Sequence, residues 1–431
     1  MLSENFLLDS FIRTGSDVKD FENLLKEVEE HVSFVRCESA ELSLLSYVPR
    51  DDDVSNGHIG FFELDPQNLA SPTTMSINDY CKHVAGSYRR VLENKILAKG
   101  EFEDLIKELK NDTRLAIYIK PNDVYFTSNN IIAMMDRFDM AKGFLKKPCF
   151  ERDAVIAKQF SDNHDCTLCV KSINGVKKIF SIASGKYTPL NQKILLDIID
   201  MLSKSGGMGE PKCHLWEVTH YKSSIYVEFP EKAKEISELY GFKEEFIPGI
   251  WMATSDTSNC SLKIRGTWRR KNSVTLFGEV GHRHIGDIDI KKIIDDVEKN
   301  IFSQYTKLPE TLCDLMSIDL IDPTVDVTTG SGQDINRAAI KSVLKNVFKE
   351  INIIKAVGRK RAKSLFDGLI DEFDASINYT AYDIAISVLT IPERVNNVNP
   401  LIKENLQKAC GLAPYANYKN VSDEEKLVLT A

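Results

Sequence analysis

The sequence predicts an α+β protein, with a central, mostly antiparallel sheet of hairpins and packed helices, then a mainly helical C-terminal region. Three observations carry this. Between residues 167 and 270, short alternating or apolar runs are separated by turn residues, which is the strand pattern. Asn174-Gly175 divides two of these runs, and this dipeptide favours the two-residue turn of a β-hairpin. Beyond about residue 333, apolar side chains recur at helical spacing.

In chain order, residues 17–35 place Phe21, Leu24, Leu25 and Val28 on one helical face. Val48–Thr73 holds Pro49, Gly57, Pro66 and Pro72 and predicts loops. Helices are predicted over Asp79–Lys95 and Glu101–Leu109, and a strand over Arg114–Phe126, where Leu115, Ile117 and Ile119 alternate. Ser128 caps a helix through Phe138, and another covers Glu151–Ser161. The central module then reads as strands at 167–173 and 178–184, a helix over Asn191–Lys204, and strands at 214–220 and 224–229. A helix over Glu231–Tyr240, strands at 248–254 and 261–270 and a long helix over Asp287–Tyr305 follow. The expected divisions are 1–110 (helical and loop-rich), 111–325 (α+β core) and 326–431 (helical, with a polar tail).

Composition narrows the function classes. The 431 residues carry a formal charge of −8, so no histone-like basic coat exists, and a polyanion site must be local or assembled from several subunits. The first ten residues hold acids where a secretory leader needs basic ones, and no apolar run approaches a membrane span of roughly 18 residues. The nine scattered cysteines read as reduced thiols of a cytoplasmic protein without membrane contact.

Against the acidic balance, the run Ser261-Leu-Lys-Ile-Arg-Gly-Thr-Trp-Arg-Arg-Lys271 is cationic. Strand alternation places Lys263, Arg265 and Arg269 on one face and Leu262, Ile264 and Trp268 on the other, with Gly266 a point where the register can break. Lys178, Lys186, Lys263, Arg265, Arg269 and Arg270 become candidate phosphate contacts, and Tyr187, Trp251 and Trp268 candidate stacking surfaces. The competing account is a sheet face whose cations pair with acids of a neighbouring subunit. A second cluster, Lys355, Arg359, Lys360, Arg361 and Lys363, lies on one predicted helix, where a solvated face is the competing account.

Two groups have metal-ligand chemistry. His164, Cys166, Cys169, Cys213 and His214 are zinc-ligand types, but odd spacing along a strand sends Cys166 and Cys169 to opposite faces, so buried free thiols are expected. His282 and His284 share a strand face near Asp287 and Asp289, acids that fit a helix N-terminus better than a metal. The expectation is therefore no metal and no cofactor. Gly206-Gly-Met-Gly209 reads as a helix stop. Thr328-Thr-Gly-Ser-Gly-Gln-Asp334 reads as a linker ending in an Asp cap, with a phosphate cradle as the alternative. The hydroxyl-rich Thr254–Asn259 run reads as a polar hairpin loop.

Several stretches carry a family resemblance. Phe126–Phe138, Phe150–Phe160, Val176-Lys-Lys-Ile-Phe-Ser-Ile-Ala-Ser-Gly-Lys-Tyr187, Phe246–Ile264, His282-Arg-His-Ile-Gly286 and Tyr379-Thr-Ala-Tyr-Asp-Ile-Ala385 resemble successive landmarks of the phage- and plasmid-borne family called domain of unknown function 932. The likeness runs from about Ser128 to Thr390. It departs at Gly185-Lys186, where that family favours aspartate-arginine, and at Lys271-Asn272, near its cysteine-asparagine-glycine turn. The resemblance implies a mobile-element origin and no particular chemistry.

Together these readings predict a non-enzymatic, phage-encoded protein that binds single-stranded nucleic acid, in annealing, recombination or replication, and that forms a homo-oligomer through its C-terminal helices. The alternatives are a virion component or anti-defence protein with a host or phage protein partner, and a metal-dependent enzyme built on His282 and His284.

Overall fold

The computed structural model describes residues 2, 4–7, 10–48, 60–64, 73–75, 115–119, 123–127 and 164–418, except 174–175, 206, 242–245, 258–259, 285–287 and 396–399. The helices expected at 79–95, 101–109, 128–138 and 151–161 lie outside these residues, as do the Asn174-Gly175 turn and Asp287.

The chain is α+β. One sheet has six antiparallel strands: β1 (Ile12–Gly15), β10 (Lys212–Thr219), β11 (Ser223–Glu228), β12 (Ile247–Thr254), β13 (Leu262–Arg270) and β14 (Ser273–His282), in that spatial order. The second sheet begins with β2 (Val32–Glu38), β8 (Asp165–Ile173) and β9 (Val176–Ser184). It continues through β7 (Asp123–Thr127), β6 (Leu115–Ile119), β3 (Leu42–Val48), β4 (Gly60–Leu64) and β5 (Thr73–Met75), antiparallel except where β7 runs parallel to β9. Thus β3, β4 and β5 fall wholly or partly in the stretch whose prolines predict loops, since local turn residues say nothing about long-range pairing.

The N-terminal segment is built into both sheets. Helix α1 (Val18–Glu30) starts where Asp17 accepts from Lys19 N at 2.7 Å, a side-chain cap for orphan amides. Phe21, Leu25 and Val28 are buried, as their spacing predicts. The predicted helix ran on to residue 35, but the chain turns at His31 into β2, because β8 offers a ladder to Val32–Glu38. On the other flank β1 pairs with β10, and the Trp216 indole donates to Asp17 O at 2.8 Å. A Cβ on Gly15 would collide with that indole ring, so only glycine fits there.

The expected helices over 191–204 and 231–240 occur as α2 (Ile194–Ser205) and α3 (Pro230–Tyr240). Proline opens α3 and left-handed Gly241 closes it. The helix expected over 287–305 is α4 (Ile290–Val297), a π-turn at Glu298–Phe302, then α5 (Gln304–Met316). Asp289 caps α4 by accepting from Lys292 N at 3.0 Å. The Thr328–Asp334 run is no linker: α6 (Gly330–Glu350) begins inside it, with Thr329 rather than Asp334 as cap. Gly332 N donates to the Thr329 hydroxyl at 3.1 Å, so that amide is spoken for.

The last helices are α7 (Ile353–Val357), α8 (Arg359–Ile370), α9 (Ala381–Leu389), α10 (Ile391–Arg394) and α11 (Pro400–Gly411). The apolar stripes of α6 and of these helices, including Leu344, Val347, Ile351, Ile384 and Val388, bury in the same core as Phe21, Ile198, Ile250 and Ile264. The C-terminal third is therefore continuous with the sheets. Among the described residues, no helix is long and apolar enough to cross a membrane.

Candidate functional site

The strand face expected to be open is largely closed. Lys178 is 4% exposed and its Nζ donates to Leu7 O at 2.9 Å. Arg265 is 1% exposed: its Nε donates to Glu279 Oε2 at 2.8 Å and its Nη1 to Glu404 Oε1 at 2.6 Å, while its guanidinium lies over Trp251 at 5.2 Å. Trp268 is buried against Tyr305 and Phe277, and Tyr187 is buried with its hydroxyl donating to Asp256 O at 2.9 Å. At these four positions the sequence reading is corrected. Alternation does put Leu262, Ile264 and Trp268 on the core side, but at Arg265 the opposite face is covered too, by Glu279 of β14 and Glu404 of α11.

The other four candidates reach the surface in part. Arg269 is half-buried, with Nε and Nη2 donating to the two Glu228 oxygens and Nη1 to Lys271 O at 3.0 Å. Lys263 and Arg270 are half-buried, and Lys186 is exposed at the end of β9, in the other sheet. The structure brings no continuous cationic surface out of these eight residues. Burial raises the Glu228, Glu279 and Glu404 carboxyls, but hydrogen bonds and charge from Arg269 and Arg265 outweigh it and leave all three below their ordinary range.

The Arg265 contacts depend on a bulge. Ile264 pairs with Val280 and Gly266 with Phe277, so Arg265 faces two residues, Gly278 and Glu279. Gly278 has φ +58°, a left-handed conformation that glycine adopts without a Cβ clash. The extra residue aims Glu279 at the guanidinium. Glycine at 278 was the available signal, but the sequence does not say which strand holds the bulge.

The second cluster is open. Lys355, Arg359, Lys360, Arg361 and Lys363 are all exposed, while Ala362, Phe366 and Leu369 fix the opposite side of α8 in the core. None of these five cations forms an ion pair among the described residues. Gly358, at φ +82°, turns the chain sharply from α7 into α8. The first turn of α8 holds Arg359, Lys360 and Arg361 and no acid. This opposes the helix dipole, whose N-terminus favours negative charge.

A third arrangement was not foreseen. Thr254, Ser255, Asp256 and Thr257, read as a polar loop, are all buried. Lys171, itself 1% exposed, lies with Nζ 3.0 Å from Asp256 Oδ2 and crosses from the second sheet to do so. The Tyr187 hydroxyl that holds Asp256 O is 3.1 Å from His284 Nδ1, and His284 Nε2 is 3.4 Å from the Thr254 hydroxyl. Burial and His282 push the His284 imidazole below its ordinary value. His284 therefore serves this polar network, and among the described residues no group of three or more His, Cys, Asp or Glu has the arrangement of a metal site. Cys166 faces Cys37 across β2 and β8, and burial pushes the Cys169 thiol well up.

Beside Asp256 lies a cavity of about 330 Å³, lined by α1, β2, Pro189–Gln192 and Asp256 itself. A second hollow, of about 380 Å³, sits at Lys186 with His164, Asp165 and Gly185.

No family model, curated protein or solved structure matches this chain. The physical features of the sites are what speak to function.

Proposed function

We propose that the protein is a non-enzymatic nucleic-acid-binding protein whose contact surface is the α7–α8 corner. The observation that carries this reading is the set of five exposed cations between Lys355 and Lys363 with no acid partner among the described residues, in a chain of net charge −8. An acidic protein gains little from concentrating unpaired positive charge at the positive end of a helix unless a polyanion neutralises it. Phosphate contacts fit this surface, since such contacts need cations and backbone amides and read no sequence. The stacking role of Tyr187 and Trp268 does not carry over, because both rings are internal.

The test is a mobility-shift titration across salt concentrations with wild type and the Lys360→Glu/Arg361→Glu double variant. The affinity of wild type falls steeply with salt, and the variant binds at least about tenfold more weakly, with a log–log salt slope shallower by about 2. Binding that ignores salt, an unaffected double variant, or no binding of wild type at low salt refutes the proposal. Equal binding of duplex and single strand fits a backbone grip, whereas a strong single-strand preference requires a stacking surface elsewhere.

A further inference from the structure

We infer that the cavity beside Asp256 binds a small planar heterocycle bearing both N–H donors and a carbonyl acceptor, the class of guanine and uracil as bases or nucleosides. Size comes first. At about 330 Å³ it stands at the lower end of the roughly 300–1,000 Å³ range of ligand pockets, enough for a ring system with little attached. Its walls are largely apolar: Leu25 and Val28 from α1, Val32 and Phe34 from β2, and Pro189 and Leu190 from the segment before α2. A flat molecule buries both of its faces against such walls, and Phe34 adds an aromatic surface.

Two polar groups are held in place. Asp256 is 4% exposed, with its carbonyl fixed by the Tyr187 hydroxyl and its carboxylate fixed by Lys171. Asp256 lines the cavity, and its carboxylate is the acceptor that this binding mode requires for ligand N–H groups. Gln192 is 8% exposed, and its Oε1 accepts from the Ser223 hydroxyl. This orients the amide so that its NH2, which donates to no group among the described residues, remains for a ligand carbonyl. At the rim, Asn191 Nδ2 donates to Glu29 Oε1 at 2.6 Å and ties α1 to the Pro189–Gln192 segment. An apolar ligand would leave both Asp256 and Gln192 without new partners, so such a site discriminates by N–H pattern. No Lys or Arg is among the described lining residues and Glu29 stands at the rim, which disfavours a phosphate group. The site shares no residue with the α7–α8 surface, and either stands without the other.

Ligand-observed NMR and calorimetry on the full chain, with guanosine, uridine, 1-methylguanosine and guanosine monophosphate as probes, test this. Guanosine or uridine binds; methylation of the ring N–H, or addition of the phosphate, weakens binding at least about tenfold. Leu190→Trp, which fills the cavity, abolishes binding. Gln192→Leu, a milder change that leaves the cavity open, weakens it, with thermal melts confirming that each variant folds. No binding of either nucleoside at about 1 mM, where even weak specific sites register, refutes the inference. So does binding that survives both folded variants, or that is indifferent to N-methylation.

Discussion

Arg265 Nη1 lies 2.6 Å from Glu404 Oε1, a contact between residues 139 apart that ties β13 to α11. The guanidinium is 1% exposed, whereas Glu404 and Glu279 keep 29% and 46% of their side-chain surface. The cation is thus buried and its two carboxylates are partly hydrated, so the partners are unequal. Arg265→Ala removes the buried cation and its packing on Trp251, and costs about 3 kcal/mol. Glu404→Gln leaves Glu279 to satisfy Arg265 and costs about 1 kcal/mol. Urea midpoints measure both, and equal losses would contradict the asymmetry.

The same cluster sets an acid limb of stability. Glu228, Glu279 and Glu404 all titrate below the ordinary carboxyl value of 4.5 in the folded chain, because pairing with arginine outweighs the rise from burial. A depressed folded value means that the unfolded chain binds more protons as pH drops. Their contribution is therefore complete above 4.5 and is lost as pH falls through the lower folded values. Denaturation midpoints measured from pH 6 to pH 3 fall for wild type, and fall less steeply for Glu404→Gln. A limb of unchanged steepness in that variant would remove Glu404 from the account.

How much of this was legible in the sequence depends on the range of the interaction. Pro230 and Gly241 bracket α3 because caps are local, and Leu262, Ile264 and Trp268 share the core side because alternation is local. The burial of Arg265 was not legible: it depends on Glu279 across a bulge and on Glu404 from a helix far along the chain. The buried Thr254–Thr257 loop was missed for the same reason, since Lys171 and Tyr187 come to it from a distant hairpin and its exit. The Lys355–Lys363 cluster was visible as charge, but that none of its cations pairs with an acid among the described residues is a property of the assembled surface.

Gly278 is the residue that lets Glu279 reach Arg265. At φ +58° a Cβ is strained in any case, and it would also meet Asn300 O at 3.2 Å. Gly278→Ala costs about 1–2 kcal/mol through this backbone conformation. In combination with Glu279→Gln the loss is less than the sum, because both act on one contact. A double-mutant cycle by chemical denaturation measures the coupling. Strict additivity would mean that the bulge and the ion pair are independent.

The α7–α8 corner makes the last prediction, in which stability and binding change in opposite directions. Arg359 begins α8, followed by Lys360 and Arg361, and no acid stands in that first turn. Arg359→Glu removes one member of a repelling set and places a negative charge where the helix dipole favours it, an effect worth about 0.3–1 kcal/mol at an exposed site. The variant is therefore more stable than wild type, more so at low salt, because screening weakens the term. It also binds nucleic acid more weakly, because it loses a cation and gains a repelling carboxylate beside phosphate. Paired measurements of denaturation midpoint and nucleic-acid affinity check both signs. A variant that is less stable than wild type, or that binds nucleic acid equally well, would show that these cations are not held unpaired for a polyanion.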